Sequence, residues 1–138
     1  VQELVKKRGP LSPGRAVYLL RQVCEALTEA HSYRLIHRDI KPANIFVTEL
    51  GGSFDVAKLL DFGLVKPMAT DVEDEGLTQA GSVTGSPHYM SPEQAMGDVE
   101  ADHRSDIYAL GGVAYFMLTG KPPFDSGSTL KILMAHLN

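Results

Sequence analysis

The stretch His37-Arg38-Asp39-Ile40-Lys41-Pro42-Ala43-Asn44, followed by Asp61-Phe62-Gly63, decides how this chain folds. Between the two motifs lie two short apolar runs, Ile45-Phe46-Val47 and Val56-Ala57-Lys58-Leu59-Leu60, separated by a polar loop containing Gly51-Gly52. Strand-forming residues on either side of a glycine pair predict a β-hairpin. The first motif precedes one strand and the second motif follows the other. One small hairpin would therefore bring Asp39, Asn44 and Asp61 together.

Outside the hairpin the patterning is helical. Ser12-Pro13 predicts a helix start, an N-cap followed by proline at the first position, where a missing N–H costs nothing. Val17, Leu20, Val23, Cys24, Leu27 and Ala30 then recur every three or four positions as one apolar stripe running to about His31. Cys24 lies on that stripe and is expected to be a small core residue, with no cation beside it in sequence to activate its thiol. From Lys66 to about Thr84 the chain turns polar and acidic without apolar periodicity, which predicts a mobile, solvated loop. Ser91-Pro92-Glu93 repeats the cap-then-proline start and should open a short helix through Met96. Asp106 is expected to begin another helix, apolar nearly all round from Ile107 to Leu118 and so buried in the middle of a domain. After Gly120-Lys121-Pro122-Pro123-Phe124, a last amphipathic helix carries Leu130, Ile132, Leu133, Met134 and Leu137. The sequence then stops at Asn138 without a C-cap, which is expected of a truncated domain. No internal repeat or low-complexity segment is present.

At 138 residues and 43% hydrophobic content the chain is about one domain's worth, with ample material for a core. A net charge of -4 supplies no basic field for a nucleic-acid backbone, so nucleic acid is not an expected partner. The single cysteine excludes an internal disulfide, and a cytoplasmic setting is expected. The longest apolar stretch, Ile107 to Leu118, is too short to span a bilayer, which leaves any membrane anchor to a longer parent.

Two carboxylates, an amide and a lysine in this order match what phosphoryl transfer asks for: a residue to orient the attacking hydroxyl, metal ligands, and a cation near the migrating phosphate. The chain resembles the protein kinase family, specifically the bacterial, eukaryotic-like Ser/Thr kinases, and the likeness spans nearly its whole length. His37-Arg38-Asp39 resembles the catalytic loop and Asp61-Phe62-Gly63 the metal-binding motif. Ser91-Pro92-Glu93 resembles the end of the activation segment, and Asp106-Ile107-Tyr108-Ala109-Leu110-Gly111 the start of the central helix. The resemblance implies a mainly α fold with a small β-hairpin, the C-terminal helical lobe of a kinase without its N-terminal lobe. Residues 1–138 would form a partial kinase domain, with catalytic loop 37–44, activation segment 61–93 and a buried central helix at about 106–118.

By that resemblance Asp39 would be the catalytic base, Lys41 would place positive charge on the transferring phosphate of ATP, and Asn44 and Asp61 would hold Mg²⁺ through oxygen. Lysine at position 41 marks the Ser/Thr-specific branch, so the partner would be a protein with a serine or threonine acceptor. Arg38 would sense a phosphate on the activation loop, with Ser82, Thr84 and Thr78 as candidate acceptors. Ser86 would form part of the substrate platform and contact Asp39 and Lys41. Asp106 would bond backbone amides of the catalytic loop and also cap its helix. His37 and Phe62 are assigned to packing, and Glu93 lacks the downstream arginine it pairs with in the family. His31, His103 and His136 show no metal-ligand spacing and are expected to be solvated or locally hydrogen-bonded.

The sequence departs from the family most at its start, where no Gly-rich loop, strand lysine or helix glutamate occurs, so the ATP-covering lobe is absent from these residues. The chain alone is not expected to be an efficient kinase. Smaller departures are Tyr108 where tryptophan is frequent, Ser91 for alanine and Ser86 for threonine. Surfaces normally covered by the missing parts should be exposed, giving marginal stability or self-association. Two other readings stand beside the kinase: a pseudokinase or scaffold that binds partners without catalysis, and a small-molecule phosphotransferase. The first leaves Asp39, Lys41, Asn44 and Asp61 without a purpose. Against the second, Lys41, Phe62-Gly63 and the Ser-Pro-Glu segment fit peptide kinases better.

Overall fold

In a computed structural model that describes residues 1–61, 86–97 and 102–138, helices dominate and a single two-stranded sheet accompanies them. The expected loop at 66–84, Phe62 and the acceptor candidates Thr78, Ser82 and Thr84 lie outside the described residues. Five α-helices are described: α1 Gln2–Arg8, α2 Pro13–Ser32, α3 Pro92–Ala95, α4 His103–Thr119 and α5 Thr129–Leu137. Strands β1 Ile45–Leu50 and β2 Ser53–Leu59 pair antiparallel, and one-turn 3-10 helices occur at Pro42–Asn44 and Pro87–Tyr89.

Helix α1 has no counterpart in the sequence reading, because seven residues are too few to show a periodicity. Its first turn carries Glu3 and its last turn Lys6, Lys7 and Arg8, the arrangement that complements a helix dipole.

Helix α2 begins where expected, with Ser12 extended at the N-cap and Pro13 at the first helical position, although the serine side chain makes no capping bond. Its buried face is Ala16, Leu19, Val23, Leu27 and Ala30. The face is thus rotated from the expected stripe: Val17 is 65% exposed and Cys24 is exposed, not a core residue. Val23, Leu27 and Ala30 of the expected stripe are buried, and packing against both β2 and α4 buries Ala16 and Leu19 beside them in place of Val17 and Cys24. Burying each of these leucines contributes about 1.5–3 kcal/mol. Leu19, Val23 and Leu27 join Ile40, Ile45, Val113 and Met117 in one hydrophobic cluster.

The hairpin is longer than the apolar runs alone implied. Gly51 and Gly52 form its turn with φ of 58° and 78°, the positive values that tight hairpins favour and glycine tolerates. Pairing sets Ile45 opposite Leu59 and Val47 opposite Ala57, with an irregularity between Thr48 and Leu50.

Helix α4 starts earlier than expected. Asp102 is its N-cap, accepting from the Arg104 amide at 2.8 Å, so Asp106 lies within the first turn and does not cap it. Nor is the helix buried all round: Ser105, Asp106, Ala109, Leu110, Val113, Phe116 and Met117 face inward, while Ile107 is 52% and Leu118 45% exposed. Gly120 ends it at φ 77°, a left-handed C-cap. In α5, Ile132, Leu133 and His136 are buried, and Leu130, Met134 and Leu137 are exposed. Asn138 follows the helix, its side-chain amide donating to the Met134 carbonyl at 2.8 Å.

Candidate active site

The loop from His37 to Asn44 carries almost no regular structure, so its polar backbone must be satisfied from outside. Asp106 on α4 supplies two of these bonds. Its carboxylate is buried, with Oδ2 accepting from the His37 amide at 2.9 Å and Oδ1 from the Arg38 amide at 2.8 Å. His31 Nε2, at the end of α2, stands 2.8 Å from Oδ2 and completes its coordination. A buried carboxylate is tolerated when charge-assisted hydrogen bonds surround it. The expected bonds from Asp106 to this loop are present, whereas His31, expected to be solvated or locally hydrogen-bonded, is instead tied to a carboxylate 75 residues further along the chain.

Arg38 adopts φ 64°, a left-handed conformation, and its carbonyl accepts from Gln94 Nε2 at 3.0 Å. Gln94 in turn belongs to a capping box on α3 with Ser91. The Ser91-x-x-Gln94 spacing was the available signal for that box, but not for the reach of Gln94 to the loop. His37 is buried, with Nε2 2.8 Å from the Leu60 carbonyl and Nδ1 3.3 Å from the Asp39 amide. A carbonyl on one side and an N–H on the other select the neutral tautomer protonated at Nε2. Both ring nitrogens of buried His37 thus face backbone groups.

Three of the four singled-out site residues meet directly. Lys41 Nζ is 2.5 Å from Asp39 Oδ2. Asn44 Nδ2 donates to the Asp39 carbonyl at 2.9 Å and approaches Oδ2 at 3.3 Å. The Asn44 amide thus turns its NH₂ toward Asp39, leaving Oδ1 for another partner. The fourth residue arrives through the hairpin: the Leu60 amide donates to the Asn44 carbonyl at 2.9 Å, and exposed Asp61 follows at φ 62°. Among the described residues no three His, Cys, Asp or Glu side chains gather as a metal site.

Ser86 borders two small concavities beside this cluster. One is shared with Arg38, Asp39, Tyr89 and Gln94, and the other, of about 170 Å³, with Lys41, Pro42, Ala43, Tyr89 and Phe116. Ser86 therefore sits beside both Asp39 and Lys41. No hydrogen bond joins it to either among those described. Burial pushes the Tyr89 phenol up to about 12. Its ring lies over Gly112 of α4, where a Cβ would meet Tyr89 Cδ1 at 3.1 Å. Glu93 Oε1 accepts from the Ser105 hydroxyl at 2.5 Å. Burial alone would raise its pKa, but the bonds from Ser105, its own backbone and Ser91 outweigh that and hold it below the usual range.

Residues 1–137 match the family model described as protein kinase domain. The chain is 45% identical, over 99% of its length, to the serine/threonine-protein kinase pkn3 of Myxococcus xanthus, covering 25% of that protein. It is 44% identical to the serine/threonine-protein kinase PknD of Mycobacterium tuberculosis and 43% identical to a probable serine/threonine-protein kinase PknB of Corynebacterium glutamicum. Each of those alignments covers 99% of this chain and, respectively, 19% and 20% of the relative. The chain thus spans a quarter or less of the length of the curated relatives it matches.

Proposed function

Because the chain belongs to the protein kinase family, we propose that it is the helical C-terminal lobe of a protein serine/threonine kinase that transfers the γ-phosphoryl group of ATP to protein hydroxyls. The observation that carries this reading is the cluster of Asp39, Lys41 and Asn44 on a loop anchored to buried Asp106, with Asp61 one residue beyond the Leu60–Asn44 bond.

Asp39 orients the acceptor hydroxyl. The serine or threonine oxygen forms a bond to the γ-phosphorus as that phosphorus separates from the bridging oxygen of ADP, and the hydroxyl proton passes to the Asp39 carboxylate. Lys41 offsets charge on the transferring group. Asn44 Oδ1 and the Asp61 carboxylate are hard oxygen donors suited to Mg²⁺, which when bound neutralises phosphate charge. Two protein ligands are enough for an ion that keeps phosphate and water in its shell. Ser86 and Tyr89 line the platform for the peptide, and Arg38 takes a phosphate placed on Ser82, Thr84 or Thr78.

Residues 1–138 hold no Gly-rich loop and no strand lysine for the α- and β-phosphates, so the isolated chain should turn over ATP inefficiently. The test is intact mass after Mg-ATP treatment of this chain joined to the ATP-covering lobe of a bacterial relative, beside Asp39→Asn. Phosphate on the joined protein and none on the variant is the expected result. A folded protein that modifies neither itself nor a generic serine peptide would overturn the reading in favour of a non-catalytic scaffold.

A further inference from the structure

An isolated two-stranded hairpin is marginal in water, and its outer edge leaves backbone groups unpaired. Here the outer edge of β2 is closed by a side chain. Gln22 of α2 donates from Nε2 to the Asp55 carbonyl at 2.9 Å and accepts at Oε1 from the Ala57 amide at 3.0 Å. One amide thus occupies the same two backbone positions that a third strand would. Beside it, Arg15 grips the Asp55 carboxylate with two parallel bonds, Nε to Oδ2 at 2.8 Å and Nη2 to Oδ1 at 2.7 Å. Asp55 itself sits at φ 57°, the left-handed region that aspartate tolerates better than most non-glycine residues.

We infer that Gln22 and Arg15 are positioning residues that fix β2 lengthwise on α2 and thereby hold Asp61 in register with Asn44. The inference rests on the proposed reading of Asn44 and Asp61 as metal ligands. A bidentate pair and a doubly bonded amide two turns apart on α2 leave no alternative register, since a one-residue slip would break all four bonds and turn every β2 side chain to the opposite face. At the far end of β2 the Leu60 amide meets the Asn44 carbonyl and the Leu60 carbonyl meets His37, so a strand held at Asp55–Ala57 delivers Asp61 at a fixed place. The same helix presents His31 to Asp106, which anchors the loop carrying Asp39. Helix α2 therefore joins both halves of the site in one frame.

The test uses the chain joined to an ATP-covering lobe, with Gln22→Leu and Arg15→Lys variants. Mn²⁺ affinity in the presence of ADP is read by water-proton relaxation, alongside peptide phosphorylation as a function of Mg²⁺. Supporting partners of metal ligands typically matter by 10–100-fold, and we expect a loss of about tenfold in metal affinity for Gln22→Leu. A smaller loss is expected for Arg15→Lys, which keeps the charge but not the paired geometry. Peptide KM should stay unchanged. Metal affinity equal to the parent in a folded variant, with only a lowered melting temperature, would overturn the inference. If Gln22→Leu does not fold, Arg15→Lys decides it by the same criterion. A parent that binds Mn²⁺ and ADP but transfers no phosphate would sink the proposed function and leave the positioning role still readable from metal affinity.

Discussion

Arg34 is one of four non-glycine residues among those described whose φ is positive. It sits at φ 59° just past the end of α2, where its amide bonds the His31 carbonyl and the Leu35 amide bonds the Ala30 carbonyl. Glycine adopts this left-handed C-terminal position without the Cβ penalty. Arg34→Gly should stabilise the fold by about 1 kcal/mol, less the entropy that glycine adds to the unfolded chain, and a denaturant titration would register it. His136 makes a second residue-scale prediction. It is buried, its Nδ1 lies 2.8 Å from the Tyr108 hydroxyl, and its ring packs edge-on to Phe124 at 4.8 Å between centroids. Burial, aided by nearby His88, lowers its pKa below 6.5 despite a counteracting backbone contact at Pro87. The unfolded chain therefore takes up a proton before the folded one does. Stability is fully present above pH 6.5 and falls as pH drops from 6.5 toward the lowered folded value. Melting temperatures across that window should fall less steeply in His136→Phe than in the parent. Equal slopes would show that His136 is not the titrating group.

At the scale of elements, α3 spans only Pro92–Ala95 and depends on its ends. Ser91 is fully buried and shares a reciprocal capping box with Gln94, whose Nε2 also holds the Arg38 carbonyl. Ser91→Ala should cost about 0.5–2 kcal/mol by leaving the Gln94 amide without its capping acceptor. It should also loosen the loop before Asp39, visible as faster hydrogen exchange at His37 and Arg38. Unchanged exchange there would confine Ser91 to local capping. The start of α3 was legible because Ser-Pro carries its own geometry in its covalent structure. The face of α2 was not: Val17 and Cys24 belong to a stripe as periodic as the true one, and only packing against β2 and α4 chooses between them.

Across the described residues, large apolar side chains stay exposed on several elements, α4 and α5 among them. Ile107, Tyr115 and Leu118 on α4 and Leu130, Met134 and Leu137 on α5 are all at least 41% exposed. Apolar surface of this kind favours association. The isolated chain should elute from size-exclusion columns earlier as its concentration rises, and a monomer at every concentration with a sharp thermal transition would refute this. No helix among the described residues is long and apolar enough to cross a membrane, so these faces do not form a span.

Read alone, the sequence determined the order of motifs, the hairpin between them, the proline-marked starts of α2 and α3, and the family. Each of these is written in short-range chemistry, whether strand formers around Gly51-Gly52, a serine before a proline, or fixed spacing from Asp39 to Asn44. Tertiary structure alone decided which apolar stripe faces inward, that Asp102 and not Asp106 caps α4, and that His31, Gln94, Gln22 and Arg15 serve the loop and hairpin. Those choices join residues distant in sequence, such as Gln22 with Ala57 and His31 with Asp106. Polar side chains of this kind look like ordinary surface residues until packing brings a backbone group or a carboxylate within hydrogen-bond reach.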